Sequence, residues 1–271
     1  MSAIATTVRG RRPVSDAWTL TIRVLLFYRN SPGLIGMSLG APLVMLVMFG
    51  YVFGSAIRIP GGEDYRSYLM PGLFVLIAVN GIMASMVGAA RDLERGMTDR
   101  LRTLPISRTA TLLGQAVADV MVNAVIIVLM AGVGYAVGWR VHDGAAKAIG
   151  ALGLLLLLRF AVVWVGFFLG MACRREEIAA QAGLLVLPVS TVSNVYVPTA
   201  GMPGWLRTIA DWNPVSCATS AARSLFGDTI GAAATSPWPL AHPIEATFAW
   251  SAVLLALFMP LAVRAFSTHG R

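Results

Sequence analysis

The sequence predicts an all-α polytopic membrane protein. The expected plan is six transmembrane helices, an N-terminal interfacial helix and short external helices between spans 5 and 6. Two observations carry this expectation. Of the 271 residues, 57% are apolar and only 13% charged, a balance foreign to water-soluble domains. The apolar residues also gather into runs that can cross a hydrocarbon core of about 30 Å, which takes roughly 20 helical residues. In order these runs are Gly33–Ile57, Leu69–Ala90, Thr111–Trp139, Ala148–Ala172, Ile178–Val197 and Pro243–Phe266.

The distribution of basic residues gives the topology. Cytoplasmic segments flanking membrane helices are enriched in Lys and Arg. With both termini inside, the cytoplasmic segments carry Arg9, Arg11, Arg12, Arg23, Arg29, Arg91, Arg95, Arg100, Arg102, Arg108, Arg174, Arg175, Arg264 and Arg271. The outer segments then carry Arg58, Arg66, Arg140, Lys147, Arg207 and Arg223, and Arg159 falls inside the fourth span. The opposite topology inverts the bias. A net charge of +8 can accompany nucleic-acid binding. Here the charge is spread over the ends of spans with no aromatic-interleaved basic face, so anionic lipid headgroups are its expected partners and nucleic acid is not.

The first 30 residues keep their charges up to Arg29, unlike a cleavable signal peptide. Within residues 14–30, Ser15 and Asp16 suit a helix start. Trp18, Ile22, Leu25 and Leu26 then recur at helical spacing, the pattern of a helix lying in the cytoplasmic interface. Asn30, Ser31, Pro32 and Gly33 break it before the first span.

Residues 91–108, between spans 2 and 3, interleave acids and bases. Leu93, Met97, Leu101 and Leu104 recur at helical spacing until Pro105, which makes a short amphipathic helix suited to a soluble partner. Inside the spans, Arg159 carries a charge that is costly there. It is either a substrate or gating contact or half of a structural ion pair with Asp119. Gln115, Asp119 and Asn123 share one face of the third span at i, i+4 and i+8, and Asn80 lies midway along the second. Gly81, Ser85, Gly88, Gly132, Gly134 and Gly138 are expected at close helix contacts.

Residues 198–242 form the long outer segment, broken by Pro198, Pro203, Pro214, Pro237 and Pro239. Met202–Trp212 and Val215–Phe226 read as two brief helices separated by Asn213 and Pro214, and Trp205, Trp212 and Trp238 suit a membrane–water interface. Cys173 and Cys217 fall at opposite ends of the expected topology, so no internal disulfide is expected. His142, His242 and His269 are scattered, and no metal centre or hydrolytic triad is expected. The only lysine, Lys147, lies between Ala146 and Ala148, which excludes a conventional phosphate-binding loop with its Gly-Lys-Ser/Thr.

Three stretches together resemble one family. Glu94, Gly96 and Asp99-Arg100-Leu101-Arg102, followed by Leu104-Pro105-Ile106-Ser107-Arg108, are similar to the coupling segment of ABC type-2 permeases. The similarity is nearest to the branch named for daunorubicin and doxorubicin resistance. Ser193-Asn194-Val195-Tyr196-Val197, Met202-Pro203-Gly204-Trp205-Leu206-Arg207 and Asn213-Pro214-Val215-Ser216 form the second match, and the six-span plan the third. The resemblance covers residues 1–271 as a single transmembrane domain. It implies a homodimer in a bacterial plasma membrane, paired with a separate ATPase that binds the ATP and Mg. The chain itself then binds no cofactor and is not an enzyme. The resemblance further implies a coupling helix at 91–108, with Arg91, Asp92, Glu94, Gly96, Asp99, Arg100, Leu104 and Pro105 facing the ATPase. Arg174, Glu176 and Glu177 would form a second contact. Asn80, Asp119, Asn123, Arg159 and Asn194 are the candidates for a path taken by an amphipathic small molecule, such as a drug, antibiotic or lipid-like compound. Export of a polysaccharide or glycolipid is the alternative. An ion-coupled transporter is a further one, and it would need acidic relays deep in the spans, where Asp119 is the only acid.

Overall fold

The computed structural model describes residues 18, 21–22, 25–26, 29–52, 54, 65–96, 108–228 and 237–268. Among them all regular structure is helical. The described residues from Trp18 to Asn30 are helical. There Thr21 is buried and its hydroxyl donates to the Gly114 carbonyl at 3.1 Å, while Trp18, Ile22 and Leu26 remain exposed.

Among the described residues, five helices are long and apolar enough to cross a membrane. α1 (Pro32–Val47) opens with Pro at its first position and runs on through a π turn at Met48–Val52. α2 (Tyr65–Glu94), α3 (Arg108–Ala136) and α4 (Ala145–Cys173) follow. The fifth long helix, Pro243–Thr268, is α10, and shorter helices precede it: α5 (Glu176–Gly183), α6 (Val186–Thr191), α7 (Gly204–Trp212) and α8 (Pro214–Phe226). One turn, α9 (Trp238–Ala241), leads into α10.

α2 and α4 form the centre and are the most buried of the five, whereas α1 is the least. Two glycines of α4 let them approach. A Cβ on Gly166 would lie 2.8 Å from Ser85 Cβ, and one on Gly170 would lie 2.2 Å from the Met86 carbonyl oxygen. This is the small-residue contact of membrane helices. Of the small residues expected at such contacts, Gly81, Ser85 and Gly134 meet a neighbouring helix, a Cβ on Gly134 falling 2.3 Å from Met70 Cε, but one on Gly88, Gly132 or Gly138 would meet nothing within 4 Å.

One stretch differs from expectation. The apolar run Ile178–Val197 is not one helix but α5 and α6, with a turn at Leu184 and Leu185. Pro188 supplies no N–H to an upstream carbonyl, so the break falls before it and Pro188 sits in the first turn of α6, where none is needed. The chain then runs without regular structure from Ser193 to Pro198. The brief helix expected at Val215–Phe226 forms as α8, which is wedged among α2, α4 and α10 with nine of its residues buried, including Arg223 and Cys217. Asn213 caps it: its side-chain oxygen accepts from Val215 N at 2.9 Å, and its amide donates to the Val189 and Val192 carbonyls at 2.7 Å each.

Candidate functional site

α2, α3 and α4 bring four of the candidate polar residues together. Arg159 of α4 points to α3, where its Nε and Nη2 lie 2.6 and 2.5 Å from Asp119 Oδ2. Its Nη1 donates to the Ala78 carbonyl of α2 at 3.1 Å. Gly81 makes the room, because a Cβ there would fall 1.0 Å from Nη1. One turn along α3, Asn123 Nδ2 donates to the Ile77 carbonyl at 3.2 Å. The ion-pair reading of Arg159 is the geometry observed.

The same residues line a cavity of about 180 Å³. Asn80, Asp119, Asn123 and Arg159 face it, together with Ser38 and Pro42 from α1. Asn80 Oδ1 and Asn123 Oδ1 are buried without a hydrogen-bond partner, a costly state for an amide away from water. Gln115, on the same face of α3, belongs elsewhere: its amide donates to Asp92 Oδ2 at 3.3 Å.

Asn194 does not line this cavity. It sits in the irregular stretch after α6, where backbone polar groups must be satisfied by side chains if they lie within a bilayer. Its carbonyl accepts from Tyr68 Oη at 2.7 Å and Arg223 Nη2 at 2.9 Å. Its N–H donates to Ser216 Oγ at 3.1 Å and its amide to Ser220 Oγ at 2.8 Å. Arg223 also donates to the Tyr68 and Val195 carbonyls, at 3.1 and 3.2 Å, and its guanidinium lies 3.6 Å from the Tyr68 ring centroid. Tyr65 Oη donates to the Tyr196 carbonyl at 2.8 Å. Sequence reasoning missed Tyr65, Tyr68 and Arg223. Arg223 carried one signal, a guanidinium nine residues after the Pro of a helix-starting Asn-Pro, on a stretch otherwise free of charge.

At the other end of α2, the two segments expected to meet an ATPase meet each other. Arg91 pairs with Glu176 at the start of α5, and Glu94 Oε2 accepts from the Glu176 N–H at 3.0 Å. A carboxylate at a helix N-terminus is favourable there, and the hydrogen bond and charge of Arg91 hold the Glu176 carboxyl below the usual carboxylate range. Gly96 ends the turn after α2 at φ +64 and Arg174 ends α4 at φ 62, both left-handed. Arg174 and Glu177 are exposed. Asp99, Arg100, Leu104 and Pro105 lie outside the described residues. Among the described residues no group of His, Cys, Asp and Glu could hold a metal ion.

The family model for the ABC-2 type transporter matches residues 16–226, a stretch that holds the ion pair, the cavity and both networks at the ends of α2. The chain belongs to the ABC-2 type transporter family. It is 31% identical, over 95% of its length and 89% of the relative's, to the daunorubicin resistance ABC transporter permease protein DrrB1 of Streptomyces coeruleorubidus. Two proteins of Mycobacterium tuberculosis (strain ATCC 25618 / H37Rv) are also similar. The doxorubicin resistance ABC transporter permease protein DrrB is 25% identical over 81% of this chain and 79% of its own. The "Probable doxorubicin resistance ABC transporter permease protein DrrC" is 22% identical over 84% and 80%. This ABC-2 permease is thus a membrane protein related to permeases of drug-resistance transporters.

Proposed function

We propose that this ABC-2 permease is the membrane subunit of an ATP-driven exporter in a bacterial plasma membrane, with both termini cytoplasmic. It pairs as a homodimer with a separate ATPase, which binds the ATP and Mg. α5, α6 and the stretch to Val197 make the sixth crossing beside the five long helices, and the N-terminal helical residues lie in the inner interface. The cargo is an amphipathic compound, a drug, antibiotic or lipid-like molecule, and its path includes the cavity at Asn80, Asp119, Asn123 and Arg159. Residues 91–108 and 174–177 form the surface that meets the ATPase.

One observation supports this coupling above all: Arg91 and Glu94, where the first surface begins, hold Glu176 of the second. A push on either surface is therefore felt by both. The names of the relatives support the transport role and the class of cargo.

Purification of the tagged chain from its native membrane in mild detergent, with mass spectrometry of what accompanies it, tests the reading. A stoichiometric ATPase with a phosphate-binding loop is the expected result. Transport by the chain alone in liposomes without ATP would overturn it in favour of ion coupling.

A further inference from the structure

The cavity between α2, α3 and α4 has acceptors on its wall that the protein leaves unused. Asn80 Oδ1 and Asn123 Oδ1 are buried and unpartnered. Arg159 engages Asp119 through Oδ2 alone, which leaves the other carboxylate oxygen on a residue that lines the same space. Asn80 is the most informative of these. Its side chain makes no hydrogen bond among the described residues, so its amide contributes nothing to the fold there while its desolvation is unfavourable. Three acceptors around one cavity call for a ligand that brings N–H or O–H groups.

Charge decides which kind. Arg159 and Asp119 already neutralise one another, so an ammonium entering the cavity would be an uncompensated third charge inside the bilayer. That penalty falls on a cation and not on a neutral hydroxyl. A hydroxyl can also accept from the guanidinium, which has more N–H groups than the three engaged contacts use. α1, the least buried of the long helices, closes one side of the cavity with Ser38, Ala41 and Pro42.

We propose that this cavity binds the uncharged, hydroxyl-bearing head group of an otherwise apolar molecule that reaches it from the bilayer past α1. The proposal rests on reading the cavity as part of the cargo path, and it narrows the cargo to neutral polyol-like heads.

The test is equilibrium binding of radiolabelled 1-O-decylglycerol to the full chain in lipid nanodiscs, with empty nanodiscs subtracted. Competitors are decylamine, which is charged, and the 2,3-di-O-methyl ether of the same glycerol, which keeps the oxygens but has no donors. Saturable binding is expected, displaced at least about tenfold better by unlabelled decylglycerol than by either competitor, as expected for one or two well-made hydrogen bonds. Asn80→Val removes a ligand acceptor and no contact of the fold, so it should weaken binding about tenfold with thermal unfolding unchanged. Displacement by decylamine or by the capped diol equal to that by decylglycerol overturns the proposal. So does an absence of saturable binding, or an Asn80→Val effect confined to oligomeric state. The assay contains neither ATP nor a partner subunit, so its failure leaves ATP-driven coupling standing, and the failure of coupling leaves this binding measurable.

Discussion

A single charge within a bilayer is costly, and a paired one is chiefly costly to unpair. Arg159 and Asp119 satisfy each other and a carbonyl of α2, in a space opened by Gly81. Removing one partner of a buried pair costs about 3–5 kcal/mol, while replacing both with apolar residues is often neutral. Arg159→Leu should therefore lower the thermal midpoint of the purified protein clearly, and Asp119→Leu with Arg159→Leu should recover most of the loss. Equal loss in the single and double variants would mean that the pair does not hold the helices. A second residue-scale expectation concerns acid. The Glu176 carboxyl is held below its ordinary range of about 4.5 by Arg91. Its folded-state pKa is depressed, so its contribution is present above the unfolded value and lost as pH falls through the lower folded one. Spin labels near the end of α2 and the start of α5 should keep their separation from pH 7 to pH 5, and part only in stronger acid.

Between elements, α4 packs tightly onto α2 at Gly166 and Gly170. Gly170→Val would drive a side chain into the Met86 backbone and should abolish accumulation of folded protein. Gly88→Ala, which meets open space, should leave expression and the thermal midpoint within error. The long helices were legible because each is a sustained apolar run, a signal that hydropathy reports directly. The small residues at contacts were less so, since composition marks Gly88 and Gly166 alike and only the rotation of each helix separates them. The break between α5 and α6 was hidden for a related reason. Leu184, Leu185, Val186 and Leu187 continue the apolar run, while the interruption comes from the missing N–H of Pro188. The pairing of Asp119 with Arg159 was legible as one of two readings. The network of Tyr68, Asn194 and Arg223 was not, because it joins residues up to 155 positions apart whose types carry no pattern in the chain.

Across the whole molecule, α2 touches all three polar sites. Tyr65 and Tyr68 hold the irregular stretch at Asn194 and Tyr196, Ile77, Ala78 and Gly81 meet Asn123 and Arg159, and Arg91 and Glu94 hold Glu176. Its 30 residues make a rod of about 45 Å at 1.5 Å per residue. The chain from Glu176 to Tyr196 is pinned to this rod at both ends, so α5, α6 and the irregular stretch must follow α2 or break one of the two links. On the proposed topology, a force applied by an ATPase at the cytoplasmic end would reach the outer network through this pair of elements. The Arg91–Glu176 link is exposed and so contributes little to stability, which separates its mechanical role from a folding role. Arg91→Glu and Glu176→Arg should each lower ATP-dependent transport several-fold while leaving expression, thermal midpoint and basal ATP hydrolysis of the complex unchanged. Together they restore opposite charges at the same two positions and should recover transport. If the double variant is as poor as the singles while the complex still assembles, Arg91 and Glu176 act separately on the partner surface and the two segments are not moved as one.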